Sequence, residues 1–217
     1  MTDHHRIEGI AAPIPLANLD TDQIMPKQFL RGIDKNGLAK GVLYDMRFDA
    51  QGKPRDEFVL NRPEYADTRI LVAGANFGCG SSREHAVWGM QQYGIQAIIA
   101  SSFGEIFYSN AMNNRLLLVV LSEEEVAALL ADIAQPGRAT IAIDVAAMTV
   151  KSANCSATFE LAPRHHHMFM EGLDLIGASL AHKDQIDAFA EQHWRTHPWL
   201  KDVAARTRSR LSAAAQA

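Results

Sequence analysis

Gly74-Ala75-Asn76-Phe77-Gly78-Cys79-Gly80-Ser81-Ser82-Arg83-Glu84-His85 lies between an apolar run, Ile70-Leu71-Val72-Ala73, and a helical pattern from Glu84 to Met90. The run reads as a short buried strand and the pattern as a helix, so the segment is a strand-to-helix loop. Glycines at 74, 78 and 80 let the backbone turn sharply and approach a ligand with no Cβ in the way. A helix that opens there presents unpaired N–H groups and the positive end of its dipole. Arg83 adds a planar, permanently charged fork that fits a carboxylate or phosphate at two points. The segment is expected to hold a small anion, with Asn76, Gly78 and Gly80 shaping it. The plainer alternative is a helix cap, because Ser81-x-x-Glu84 spells a capping box. A cap alone needs neither Asn76, nor Arg83, nor glycines so closely spaced. Phosphate loops fit less well. The dinucleotide fingerprint wants a third glycine where Arg83 stands, and the chain has no Gly-Lys-Ser/Thr.

Outward from this loop, helices alternate with short apolar strands. A helix to about Tyr93 ends at Gly94, and Ala97 to Ala100 reads as a second buried strand. Phe103 to Asn110 suits a short helix, and Leu116 to Leu121 a third strand. Ser122-x-x-Glu125 caps an amphipathic helix with Val126, Leu129, Leu130 and Ile133 on one face. Thr140 to Val145 and Met148 to Lys151 pair as strands. Upstream, Ile10 to Pro15 reads as an edge strand because of its prolines, and Phe58 to Leu60 as another strand. Lys27 to Pro54, dotted with glycine, reads as a loop or a short helix with exits. The alternation argues an α/β fold with parallel elements, and it puts the Gly/Ser loop at the carboxyl end of a strand, where open α/β sheets bind ligands.

Composition sets bounds. The 217 residues are 47% hydrophobic and 21% charged, as expected for one globular core with an extension. A net charge of −4 gives no basic field for nucleic acid or an anionic membrane. The Met1 to Arg6 segment lacks the apolar stretch of a secretory signal, and no apolar run reaches the ~20 residues of a membrane span. Two cysteines, Cys79 and Cys155, are too few for a disulfide framework and point to a reducing, cytoplasmic setting. They are also too few for an iron–sulfur cluster, which takes three or four thiolates.

Three blocks carry a family resemblance: Asp20-Thr21-Asp22-Gln23-Ile24-Met25-Pro26, Gly74 to Ala86, and Gly172-Leu173-Asp174-Leu175-Ile176-Gly177. From about Leu16 to His197 the chain resembles the small subunit of 3-isopropylmalate dehydratase, which is itself similar to the swivelling C-terminal domain of aconitase. The resemblance implies a swivelling β/β/α domain over residues 1–200, with a C-terminal helix at about 183–197 and a frayed tail at 201–217. It implies a hydro-lyase of leucine biosynthesis, converting 2-isopropylmalate into 3-isopropylmalate by dehydration and rehydration, and active only with a large subunit. No cofactor is expected on this chain, since a 4Fe–4S cluster is implied on that partner. Matched by position, Ser81 corresponds to the catalytic base, Ser82 and Arg83 to ligands of a substrate carboxylate, and Arg31 to a second carboxylate-binding arginine. Asp20 and Asp22 then hold the substrate-facing loop.

The resemblance leaves other substrates open, among them citramalate, methylmalate and homoaconitate. A different class, a non-catalytic module binding an anion or nucleotide, would use the same loop. Cys79 is read as a small loop residue and His85 as a structural histidine. His165-His166-His167 is read as a solvated patch, since three consecutive histidines cannot all face one metal.

Overall fold

The computed structural model describes residues 5–30 and 35–214. It divides into two compact units, Met1–Leu175 and Ile176–Ala217, whereas the sequence suggests one domain running to residue 200. In chain order the first unit contains β1 (Arg6–Ile14), α1 (Thr21–Ile24), α2 (Tyr44–Arg47), β2 (Thr68–Ala73), α3 (His85–Tyr93) and β3 (Ala97–Ala100). Then come α4 (Glu105–Asn113), β4 (Leu117–Val120), α5 (Glu123–Ile133), β5 (Thr140–Asp144), β6 (Thr149–Lys151), β7 (Ser156–Thr158) and α6 (Pro163–Met170).

One mixed sheet of seven strands has the order β4-β3-β2-β1-β5-β6-β7. The β1–β2, β2–β3 and β3–β4 pairs are parallel. The β1–β5, β5–β6 and β6–β7 pairs are antiparallel. Each parallel strand needs a crossover, and helices supply it. β3 is therefore buried along its whole length, and Ile70, Leu71, Val72, Ile98 and Ile99 have no exposure. β5 instead alternates buried with partly exposed positions, as a sheet with one wetter face does. α3 ends at Gly94 in the left-handed conformation (φ 109°), and α5 opens with the expected box between Ser122 and Glu125.

Several expectations need correction. β1 is a central strand, not an edge. Its Pro13 is tolerated because β5 has ended before reaching it. Ala11 makes the last bond to that side (N–H to Ala139 O, 2.7 Å), and Pro13 faces the same way with no ladder left to break. Phe58 to Leu60 is not a strand; Val59–Asn61 forms a 3₁₀ turn. β7 was not anticipated. The described residues of the Lys27 to Pro54 stretch hold two 3₁₀ turns, Lys27–Phe29 and Leu38–Gly41, besides α2.

The histidine run lies on α6. His167 is exposed, but His165 and His166 are half-buried. His165 Nδ1 and His166 Nε2 are shut off from solvent with no hydrogen-bond partner among the described residues. The His165 ring lies 6.0 Å from that of Tyr108, and burial holds His165 below the usual histidine value.

The second unit contains most of α7 (Leu175–Leu180), together with α8 (Lys183–Thr196) and α9 (Val203–Ala214). α8 lies where a C-terminal helix was expected. α9 occupies the expected frayed tail, and its alanines and arginines are strong helix formers. No helix among the described residues is long and apolar enough to cross a membrane.

Candidate functional site

The loop from β2 to α3 is built from residues that leave its backbone no latitude. Gly74 donates to Ile14 O (3.1 Å), and a Cβ there would stand 2.5 Å from the Leu16 backbone. Asn76 takes a positive φ of 56°, a conformation asparagine tolerates better than most residues. Its side-chain amide donates to Asn18 Oδ1 (2.8 Å) and its N–H to Ser102 Oγ (2.8 Å). Gly78 has φ 75° and lies against Phe107, so that a Cβ would be 2.3 Å from the ring. No side chain fits there. Further bonds run from Gly78 N to Leu19 O (2.7 Å), from Phe77 N to Ser102 O (3.1 Å) and from Gly104 N to Phe77 O (2.9 Å). The loops after β1, β2 and β3 are thus tied together at the carboxyl ends of three parallel strands.

α1 supports the reactive end of this loop. Asp20 caps α1, with its Oδ1 accepting from Gln23 N (2.7 Å) while Gln23 Oε1 accepts from Asp20 N (2.9 Å). Thr21, only 4% exposed, faces the glycine segment. Its N–H donates to Cys79 O (2.9 Å), and its Oγ1 accepts the N–H of Ser81 (2.9 Å). Asp22 reaches Arg83, whose Nη2 donates to Oδ1 at 2.8 Å, and its other oxygen lies 3.5 Å from Lys27 Nζ.

These contacts put Ser81 and Arg83 together. Arg83 Nε donates to Ser81 Oγ at 2.8 Å. A guanidinium that donates to a hydroxyl oxygen favours negative charge on that oxygen. Ser81 and Arg83 are half-buried, Ser82 is exposed, and the Arg83 side chain keeps 40% of its surface open. The Ser82 backbone O accepts from Asn110 Nδ2 (3.1 Å), which anchors the exposed Ser82 to α4.

The capping box spelled by Ser81 and Glu84 does not form. α3 starts at His85, with Glu84 at the cap and no side-chain bond there. Ser81 to Arg83 therefore precede the helix, and any anion there meets side chains before helix amides. Glu84 instead accepts from Asn114 Nδ2 (2.9 Å), and the Trp88 indole donates to Asn114 Oδ1 (3.1 Å). His85 lies on Trp88, with 5.0 Å between ring centres. Cys79 Sγ lies 3.5 Å from Asn18 O. Arg31 lies outside the described residues.

Sequence reasoning missed Thr21 as the residue that fixes Ser81, and Ser102 and Asn110 as supports. The Asp-Thr-Asp spelling was visible, but nothing local says which loop it grips. Among the described residues no group of three or more histidines, cysteines or carboxylates could hold a metal ion.

Comparison with known proteins adds to this geometry. Residues 1–124 match the family model of the aconitase C-terminal domain. The 3-isopropylmalate dehydratase small subunit 1 of Chromobacterium violaceum is 68% identical over 212 residues, covering 98% of this chain and 100% of that one. The 3-isopropylmalate dehydratase small subunit of Phenylobacterium zucineum is 48% identical over 197 residues, covering 90% and 97%. The crystal structure of 3-isopropylmalate dehydratase from Methanocaldococcus jannaschii superposes with a TM-score of 0.62 at 28% identity, covering 85% of this chain and 99% of that one.

Proposed function

We propose the chemistry of this site from the premise that the chain belongs to the aconitase C-terminal-domain family, among the small subunits of 3-isopropylmalate dehydratase. It serves as the small subunit of a hydro-lyase that moves a hydroxyl between neighbouring carbons, turning 2-isopropylmalate into 3-isopropylmalate in leucine biosynthesis. Ser81 acts as the base, Ser82 and Arg83 hold a substrate carboxylate, and Arg31 adds a second positive contact.

The observation that carries this reading is the 2.8 Å bond from Arg83 Nε to Ser81 Oγ, on a loop that only glycine can follow. A serine is a poor base at its free pKa. Deprotonated and stabilised by the guanidinium, its oxygen can take the proton from the carbon next to a carboxylate. The C–H electron pair becomes the new C=C bond as the C–O bond on the neighbouring carbon breaks. Adding water back across the alkene with the opposite orientation gives the isomer.

A 4Fe–4S cluster, held by a large-subunit partner, would supply Lewis-acid chemistry towards the substrate hydroxyl. With two cysteines, this chain does not fit such a cluster, so we place it on the partner. The open face of Arg83 and the exposed Ser82 support that division, because an alkoxide base needs water kept out and the described residues leave the loop uncovered. Two free cysteines suit a reducing cytoplasm.

The test is reconstitution. The purified chain is mixed with a cluster-bearing large subunit, and the alkene intermediate is followed by its absorbance across a panel of substituted malates. Activity on 2-isopropylmalate that requires both chains is expected. Turnover by this chain alone, or none by the complex, overturns the reading.

A further inference from the structure

We infer that Asp22 is a positioning residue that assigns the two edges of the Arg83 guanidinium, turning one to Ser81 and reserving the other for a substrate carboxylate. The inference rests on the proposed dehydratase chemistry and deepens it.

A guanidinium offers five N–H groups in a fixed plane, and a two-point partner can take the Nε–Nη2 side or the Nη1–Nη2 end. Here the side edge is divided between two residues. Nε goes to Ser81 Oγ and Nη2 to Asp22 Oδ1, both at 2.8 Å. Among the described residues Nη1 has no partner and the side chain keeps 40% of its surface open, so the end edge retains bonding capacity for a ligand. Without Asp22, a substrate carboxylate would find the side edge equally accessible. Taking it there would strip Ser81 of the donor that stabilises its negative charge. Asp22 blocks that binding mode.

The geometry needed for such sorting is rigid. Asp22 sits on α1, which the Asp20–Gln23 box closes at its start. Thr21 binds the backbone on both sides of Gly80, at Cys79 O and Ser81 N. Asp22 and Ser81 therefore keep a fixed spacing, and Arg83 bridges it. Lys27 balances the arrangement: two cations, Arg83 and Lys27, flank one carboxylate, so the cluster keeps a net positive charge towards a dianion. The Asp22 and Arg83 side chains are 39% and 40% exposed, so the pair counts for orientation rather than for stability.

The test uses the assembled complex. Asp22→Ala is expected to lower kcat/KM by ~30-fold, with kcat falling as the Ser81 contact is lost and KM rising as the carboxylate loses its aligned edge. Asp22→Asn, which keeps an acceptor oxygen of the same shape, should recover most of that loss. The deciding measurement is a double-mutant cycle. On an Arg83→Lys background, Asp22→Ala should cost less than about threefold, since Asp22 acts only through the fork. An equal penalty on both backgrounds, an asparagine variant as poor as alanine, or an alanine variant within about threefold of wild type each overturns the inference. Near-UV circular dichroism and co-purification with the large subunit confirm assembly, and Asp22→Asn carries the test if the alanine variant fails to assemble. A wild-type complex with no activity fails the dehydratase reading itself, whereas an active wild type with additive variants fails this inference alone.

Discussion

The two halves of the sheet use the same polar vocabulary to opposite ends. At the carboxyl ends of β1, β2 and β3, a carboxylate, a guanidinium and a hydroxyl meet in Asp22, Arg83 and Ser81. On the antiparallel side, α5, the turn that follows it and the β6–β7 hairpin bring together Asp132, Arg138 and Ser152. In the second cluster the carboxylate and the hydroxyl are consumed by their own bonds, while Arg138 keeps 47% of its side chain open. Asp132 accepts from the Ser152 hydroxyl, from Asn154 N (2.9 Å) and from Asn154 Nδ2 (2.7 Å), and is 6% exposed. The first cluster is unfinished, with an open guanidinium end and an exposed serine beside it. Chemistry alone does not separate a site from a strut. The partner of the hydroxyl does: Ser152 donates to a carboxylate, whereas Ser81 accepts from a guanidinium.

The sharpest way to break that comparison is Ser81→Ala. As the proposed base, Ser81 should cost the assembled enzyme about 10²–10⁴ in kcat when removed, with little change in melting temperature. A variant keeping more than about a tenth of the rate would demote Ser81 to a loop residue and put the base elsewhere.

Gly78→Ala comes next, and it acts through folding. The new methyl would meet Phe107 at 2.3 Å in a backbone of φ 75°. Overpacking and a disfavoured conformation together should cost about 2–4 kcal/mol, read as a lower denaturation midpoint at unchanged slope. A neutral effect would mean that Phe107 yields and that the loop is less tightly held than its contacts imply. Arg83→Lys follows: charge is kept and the fork lost, so kcat should fall and KM rise, together worth about 1.5–3 kcal/mol. Unchanged kinetics would argue against carboxylate contact at Arg83.

The parallel half was readable from sequence because its signals are local. Apolar runs mark β2, β3 and β4, Gly94 stops α3, and the Ser122 box opens α5. Errors arose where partners are distant in sequence. Pro13 looks like an edge marker until the end of β5 is known, and that lies more than a hundred residues away. The start of α3 slipped to His85 because the Ser81 backbone and hydroxyl were claimed by Thr21 and Arg83. The contact between Asp22 and Arg83 spans 61 residues, so neither reveals the other. Burial of His165 and His166 likewise depends on where α6 packs, which three identical letters cannot say. Of the site, the loop and its charged fork were visible, but the grip of α1 on them was not.

The smallest effect tests the finished cluster. The Ser152 hydroxyl, then the Asn154 backbone and side-chain amides, and lastly Arg138, hold the Asp132 carboxyl at about 2, below its ordinary 3.8. A depressed carboxylate contributes stability that is fully present above the unfolded value and disappears as pH falls through the folded one. The window is therefore from about 4 down to about 2. Asp132→Asn keeps the shape and removes the charge. The melting temperature of the variant should fall below that of wild type near neutral pH, and the two curves should converge as the buffer approaches pH 2. The assembled variant should keep kcat at neutral pH within about twofold, since Asp132 lies on the antiparallel side and touches none of Ser81, Ser82 or Arg83. A temperature gap that stayed constant across the window would assign the contribution of Asp132 to packing. A large fall in kcat would erase the distinction between the two clusters.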